Sequence, residues 1–260
     1  MNQISAAGLT QLLERLRERL LGLTVPRGLE SARMAIETAA SVLRNLERRL
    51  AEGPGAPLRI AFFGPTGAGK SKLLSSLLGS NVSPSGFRRP YTLRPAYSVP
   101  ERHAALRARL DGHVQLRPGG DWPDLVLIDS PDFDSVERQN RAAADRVLGE
   151  AEAIVFVTDV QKYADQSTWE YLERLDRAAR PAAIVLNKAV GEGAAADFRR
   201  RLEERPGRAP VALIVVPELS IDDQMRLSCD VAYRPRGNVG VGLLAATGGA
   251  LRLHALIASR

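Results

Sequence analysis

Cysteine is all but missing. Cys229 is the only one in 260 residues, so no disulfide can close within the chain and nothing points to an oxidising compartment. Histidine is scarce too: His103, His113 and His254 lie far apart, without cysteine partners, and suggest no metal cluster. No run of about 18 apolar residues is present to span a bilayer. The opening MNQISAAGLTQLLERL has no charged leader, apolar stretch or small-residue cleavage site of a signal peptide. A cytoplasmic protein is therefore expected. At 45% hydrophobic and 25% charged residues, the chain suits one domain of ordinary size with a small appendage.

Lysine is the most informative scarcity. Lys70, Lys72, Lys162 and Lys188 are the only lysines among 36 basic residues. The net charge of +6 and the pI near 9.9 thus reflect an arginine bias before they indicate an anionic partner. Where arginine is the default cation, a retained lysine marks a place that needs a point charge on a flexible stem.

Residues 4–51 carry two apolar stripes at helical spacing. Leu9, Leu12, Leu13, Leu16 and Leu20 form the first, Ile36, Ala39, Leu43, Leu46 and Leu50 the second, with Pro26 and Gly28 between them. Together they predict a helical hairpin over residues 1–54. From Leu58 short apolar runs alternate with amphipathic stretches. Strands are expected at Leu58–Phe63, Pro95–Val99, Leu125–Asp129, Ala153–Thr158, Ala182–Leu186 and Val211–Val216. Helices are expected near Lys70–Leu78, Val136–Leu148, Gln166–Arg177 and Ala194–Glu203. Several strands are apolar on both faces, so the pattern predicts an α/β domain over residues 55–220 with a largely parallel sheet under helices. The Gly- and Ala-rich end, residues 221–260, is expected to form a helical tail, truncated if the chain is part of something longer.

One motif carries chemistry. Gly64-Pro65-Thr66-Gly67-Ala68-Gly69-Lys70-Ser71 matches GxxxxGK[ST], between an apolar strand ending at Phe63 and an amphipathic stretch beginning near Lys70. Chance alone, at this composition, gives roughly 0.003 such matches in a chain of this length. Glycines let successive backbone N–H groups converge on phosphate oxygens, a lysine neutralises the β/γ oxygens, and a serine hydroxyl helps hold Mg²⁺. The candidate nucleotide-binding set is Gly64 to Ser71 together with Lys72. Lys70 is the candidate catalytic cation and Ser71 a candidate metal ligand. Asp129 closes the apolar strand Leu125-Val126-Leu127-Ile128 and is a second candidate on the metal side.

The order P-loop, threonine-bearing loop, strand-Asp-x-x and apolar strand-Asn-Lys resembles a GTPase of the translation-factor-related class. The stretches DSPDFDS, then NR, then FVTDVQKYADQ are similar to bacterial dynamin-like and related large GTPases. The likeness covers roughly residues 58–216. It implies a P-loop three-layer α/β sandwich that binds GTP with Mg²⁺ and hydrolyses it slowly. It makes Thr92 the switch I threonine, on both the catalytic and the metal side. Asp129 becomes the switch II aspartate. Asn187 and Lys188 become guanine-side residues, with the Lys188 stem along the base.

The sequence departs from that pattern at three places. Val190 stands where NKxD has its guanine-reading aspartate, and the nearest downstream carboxylate is Glu192. GTP over ATP is thereby left open. Asp132 replaces the DxxG glycine, placing a carboxylate near the γ-phosphate position. Phe133 stands where small GTPases keep a water-orienting glutamine, so slow turnover, or a scaffold that binds without hydrolysing, is expected.

Residues 87–117 hold seven arginines against Glu101 and Asp111. An arginine finger from Arg88 or Arg89, contact with anionic lipid, and a solvated arginine-rich loop are the open readings. Nucleic acid is disfavoured because only Phe87, Tyr91 and Tyr97 interleave these arginines. The remaining partner classes are GTP and GDP, a second protomer across the nucleotide face, and a peripheral anionic membrane surface.

Overall fold

Apolar runs without alternation need cover on both faces of a sheet, and the computed structural model shows that arrangement. It describes residues 6–78, 94–110, 114–118, 122–133, 138–177, 181–205, 212–217, 230–231, 244–247 and 250–253. The helices are α1 (Ala6–Leu21), α2 (Glu30–Glu52), α3 (Lys70–Leu78), α4 (Ala104–Leu110), α5 (Arg138–Glu150), α6 (Gln166–Arg177) and α7 (Gly193–Glu204). The main strands are β1 (Leu58–Phe63), β2 (Ala96–Val99), β3 (Gln115–Pro118), β4 (Leu125–Asp129), β5 (Ala153–Asp159), β6 (Ala182–Ala189) and β7 (Ala212–Pro217). A short strand β8 (Asp230–Val231) adds to the far edge, and β9 (Leu244–Thr247) pairs antiparallel with β10 (Ala250–Leu253).

Among the described residues the large sheet runs β3-β2-β4-β1-β5-β6-β7-β8. Strands β4, β1, β5, β6 and β7 are mutually parallel, while β2 and β8 join antiparallel at either side. This is the α/β P-loop fold expected from the sequence. Alternate residues of each strand feed opposite cores. Phe63, Ile128, Phe156 and Ile184 pack under α5, α6 and α7. Ile60, Phe62, Leu127 and Val155 pack with Leu73, Leu74 and Leu77 of α3.

Among the described residues α4, β3 and the strands of the C-terminal segment differ from the sequence expectation. The strand β3, parallel to β2 beyond a 3₁₀ turn (Glu101–His103) and α4, was not foreseen. Its sequence Gln-Leu-Arg-Pro has one aliphatic residue and no strand signature. The expected helical tail is the other correction: residues 244–247 and 250–253 are strands. Gly248-Gly249 between them is two-residue hairpin sequence, which favours reversal over a continuing helix.

The N-terminal helices form the expected hairpin, with Arg17 donating to Glu47 across it at 3.0 Å. The last carbonyls of a helix lack donors of their own, and α2 supplies them where α5 ends. Ser41, Arg48 and Asn45 donate to the carbonyls of Gly149, Glu150 and Ala151 at 3.2, 2.8 and 3.4 Å. Charged groups continue the joint. Glu52 accepts from Arg59 and Arg109, each at 2.7 Å, and Glu152 lies 2.5 Å from Arg49 and 3.4 Å from Arg48. No helix among the described residues is long and apolar enough to cross a membrane.

Burial alone would push the Glu52 carboxyl up, but Arg59, by charge and hydrogen bond, with Arg109 and Arg48, holds it below 4.5. A carboxylate held down in this way stabilises the fold fully above about pH 4.5 and loses that contribution as pH falls through its lower folded value. Glu52→Gln is expected to cost about 2 kcal/mol in urea unfolding near neutral pH, because it leaves the buried Arg59 without its charge partner. The difference between the two proteins should shrink as pH drops below that range.

Candidate functional site

The site gathers where the parallel strands end. β1 stops at Phe63, the chain turns through Gly64–Gly69, and α3 starts at Lys70. Two glycines are obligatory for different reasons. A side-chain carbon at Gly64 would lie 2.0 Å from the Val157 carbonyl oxygen of β5, so the loop leaves β1 where no side chain fits. Gly69 has φ +99°, and a side-chain carbon there would lie 2.2 Å from the Asn187 amide nitrogen.

Lys70 is almost completely buried. Its ammonium donates to the Gly64 carbonyl at 2.8 Å, the Pro65 carbonyl at 3.0 Å and the Asp132 carboxylate. Pro65 and Ala68 are buried, Thr66 and Gly69 half-buried, and Gly67 and Lys72 exposed. Ser71 begins the first turn of α3, and its carbonyl accepts from Ser75 at 2.7 Å.

Asp129 ends β4 opposite Phe62 of β1 and is fully buried. Ser130 ties this end to the Phe62 carbonyl through its hydroxyl at 2.7 Å. Neither Asp129 oxygen has a donor in hydrogen-bonding geometry. Burial pushes this carboxyl up, while the nearby Ser71 hydroxyl, Lys70 and Arg117 favour its charged form. A buried carboxylate with two unpartnered oxygens beside a serine hydroxyl is the hard-oxygen donor set that suits Mg²⁺. Among the described residues no group of three or more His, Cys, Asp or Glu could hold a metal. An ion here would draw its other ligands from phosphate and water.

The second half of the site buttresses the same loop. Asn187 donates to the Ala68 carbonyl at 2.8 Å, and Lys188 to the Gly67 carbonyl at 2.6 Å. Lys188 also reaches Asp159 at 2.7 Å and holds a left-handed φ of 55°. Asp159 and Asn187 are register partners on β5 and β6, which is why the two motifs meet. Val190 is 68% exposed, and Glu192 precedes α7 without capping it through its side chain.

Thr92, Arg88 and Arg89 lie outside the described residues. The arginines of residues 94–117 that are described sit mostly on internal partners. Arg102 pairs with Asp124, Arg107 donates to the Val99 and Arg117 carbonyls, and Arg109 holds Glu52. Phe133 is not at the nucleotide face at all. It is 1% exposed and stacks on Tyr171 with centroids 3.7 Å apart, flanked by Phe63 and Phe156.

Two residues of the site escaped the sequence reading. Asp159 closes an apolar strand, the signal that it offers in the sequence, and holds Lys188. Arg117, on the unforeseen β3, is buried 3.9 Å from Asp129 with two guanidinium nitrogens lacking hydrogen-bond partners. Only the fold could bring it there.

The family model described as 50S ribosome-binding GTPase matches residues 59–188, half of the chain. The chain belongs to this GTPase family. It is 27% identical to GTPase Der of Azorhizobium caulinodans over 59% of this chain and 31% of that one. It is 29% identical to the tRNA modification GTPase MnmE of Halorhodospira halophila over 61% of this chain and 31% of that one. A probable GTP-binding protein EngB of Rhizobium johnstonii is 25% identical over 62% of this chain and 76% of its own length. The chain thus spans about a third of the Der and MnmE relatives. Among solved structures it is similar to a bacterial dynamin pair (TM-score 0.44, 15% identity, 78% of this chain and 43% of that one). It is also similar to Era in complex with MgGDPNP and 16S ribosomal RNA (TM-score 0.46, 17% identity, 63% and 52%).

Gly64→Ala should be the most damaging single change in this GTPase loop. Its methyl meets β5 backbone, not a side-chain tip, so β1 and β5 must part. A loss of about 2 kcal/mol or more is expected in chemical unfolding, whereas an alanine at the exposed Lys72 should leave stability nearly unchanged.

Proposed function

We propose that the chain binds GTP and GDP with Mg²⁺ and acts as a slow GTPase switch. What supports this reading is that the loop turns directly into Lys70 and Ser71, that the buried Asp129 ends β4 beside them, and that Asn187 and Lys188 donate to the loop carbonyls of Ala68 and Gly67. Backbone N–H groups of the loop and the first turn of α3 bind phosphate oxygens. Lys70 supplies the compact charge at the β/γ oxygens. When bound, Mg²⁺ neutralises phosphate charge; Ser71, Asp129 and, from the resemblance, Thr92 are the residues assigned to hold it. Lys188, fixed by Asp159 and the Gly67 carbonyl, lays its stem along the base. Phe133, packed in the core, cannot orient water, which supports a low intrinsic rate, raised by a partner or a second protomer.

A scaffold that binds nucleotide with little turnover is the second reading, favoured by that withdrawal of Phe133 into the core. A contact with a second copy or with an anionic membrane surface belongs to the same proposal. It is supported by the exposed leucines of the N-terminal hairpin, among them Leu12, Leu16 and Leu21 at 46–54% exposure.

The decisive measurement is equilibrium binding of a fluorescent guanine nucleotide with Mg²⁺, competed separately by GTP and by ATP. GTP is expected to compete, and Lys70→Ala to weaken binding by about a hundredfold or more. Equal competition by ATP would make the protein a general nucleoside-triphosphate switch. Turnover by dilute protein of tens per second would rule out the slow-switch reading.

A further inference from the structure

An ammonium group has three hydrogens to donate, and all three of Lys70 are engaged. Two go to carbonyls of its own loop and one to Asp132, a charged partner. Phosphate oxygens can therefore reach Lys70 only by displacing one of these acceptors. Asp132 occupies the position at which the family's DxxG pattern has a glycine with no side chain. Its carboxylate is mostly buried, with 19% of the side chain exposed. The residue after it cannot retreat: Phe133 is held in a stack of Phe63, Phe156 and Tyr171, and its carbonyl accepts from the Tyr171 hydroxyl at 3.4 Å.

We propose that Asp132 is an internal stand-in for the γ-phosphate, which holds Lys70 in the empty and diphosphate states and sets a preference for GDP over GTP. This inference rests on the nucleotide-binding reading above and deepens it. A β-phosphate can replace the loop carbonyls on Lys70 while the carboxylate stays. A γ-phosphate competes for the place of the carboxylate itself and brings like charge beside it. Since Phe133 pins the backbone, Asp132 must turn its side chain away for the triphosphate to seat. The triphosphate bears that cost and the diphosphate does not.

The test is the affinity of wild type, Asp132→Asn and Asp132→Gly for GDP and for a non-hydrolysable GTP analogue, both with Mg²⁺. Asparagine keeps the shape and removes the charge; glycine removes both. Each variant should raise the ratio of analogue to GDP affinity roughly tenfold or more, mainly through tighter analogue binding. A ratio that is unchanged or falls overturns the proposal. Nucleotide-free thermal melts establish that the variants are folded, and the near-isosteric Asp132→Asn decides the matter if Asp132→Gly is not. Failure of wild type to bind either nucleotide would overturn the nucleotide reading and this proposal together. Binding by wild type that is lost in Lys70→Ala, with no change of ratio in the Asp132 variants, overturns this proposal alone.

Discussion

The whole site depends on the parallel pairing of β1 with β4 on one side and β5 on the other. Phe62 lies opposite Asp129, and Phe63 opposite Phe156. Side chains of a strand change face with every residue, so a slip by one position would turn Asp129 to the other face and tear Phe63 from its aromatic neighbours. Two cores, one on each face, make such a slip costly. The same pairing brings Gly64 against the Val157 carbonyl, so the loop can leave β1 only at a residue without a side chain. Hydrophobic packing therefore sets the position of every polar group in the site, and the loop contributes its chemistry only because the strands have already placed it.

The division of labour between arginine and lysine follows from their shapes. Arginine offers five donors in a plane and suits carbonyl and carboxylate partners at a packed joint. Here it fills the seam between the N-terminal hairpin and the GTPase domain, where Arg48, Arg49, Arg59 and Arg109 meet Glu52 and Glu152. The charge excess therefore includes groups that are engaged with carboxylates of the same chain. Lys70 and Lys188 instead reach different carbonyls of a single loop. A narrow ammonium on a long stem fits that task, and a planar guanidinium does not.

What was legible in the sequence was local. The P-loop and the strand ends at Phe63 and Asp129 could be read because backbone geometry and chemistry are encoded within a few residues. Residues whose roles arise from distant pairing stayed hidden. Asp159 acquires its function only when β5 and β6 align it with Asn187, and Arg117 only when β3 is added beyond β2. Phe133 shows both levels at once: its place in the motif says that no side chain there orients water, and its apolarity takes it into the core between Phe63 and Tyr171.

The base end of the site separates shape from hydrogen-bond readout. Lys188 is held in the left-handed region by two anchors, Asp159 and the Gly67 carbonyl, and a non-glycine residue keeps that conformation only when its surroundings fix it. The chain then passes Gly191 at φ +66° and enters α7 at Gly193. None of this geometry requires an aspartate at position 190, where Val190 is exposed. Shape and apolar contact distinguish similar ligands by factors of roughly 10 to 200, whereas a buried polar reader reaches about 10⁴ or more. On the proposed nucleotide reading, a site of this construction is expected to discriminate guanine from adenine weakly. Glu192 is the nearest carboxylate downstream, and its side chain is not committed to capping α7.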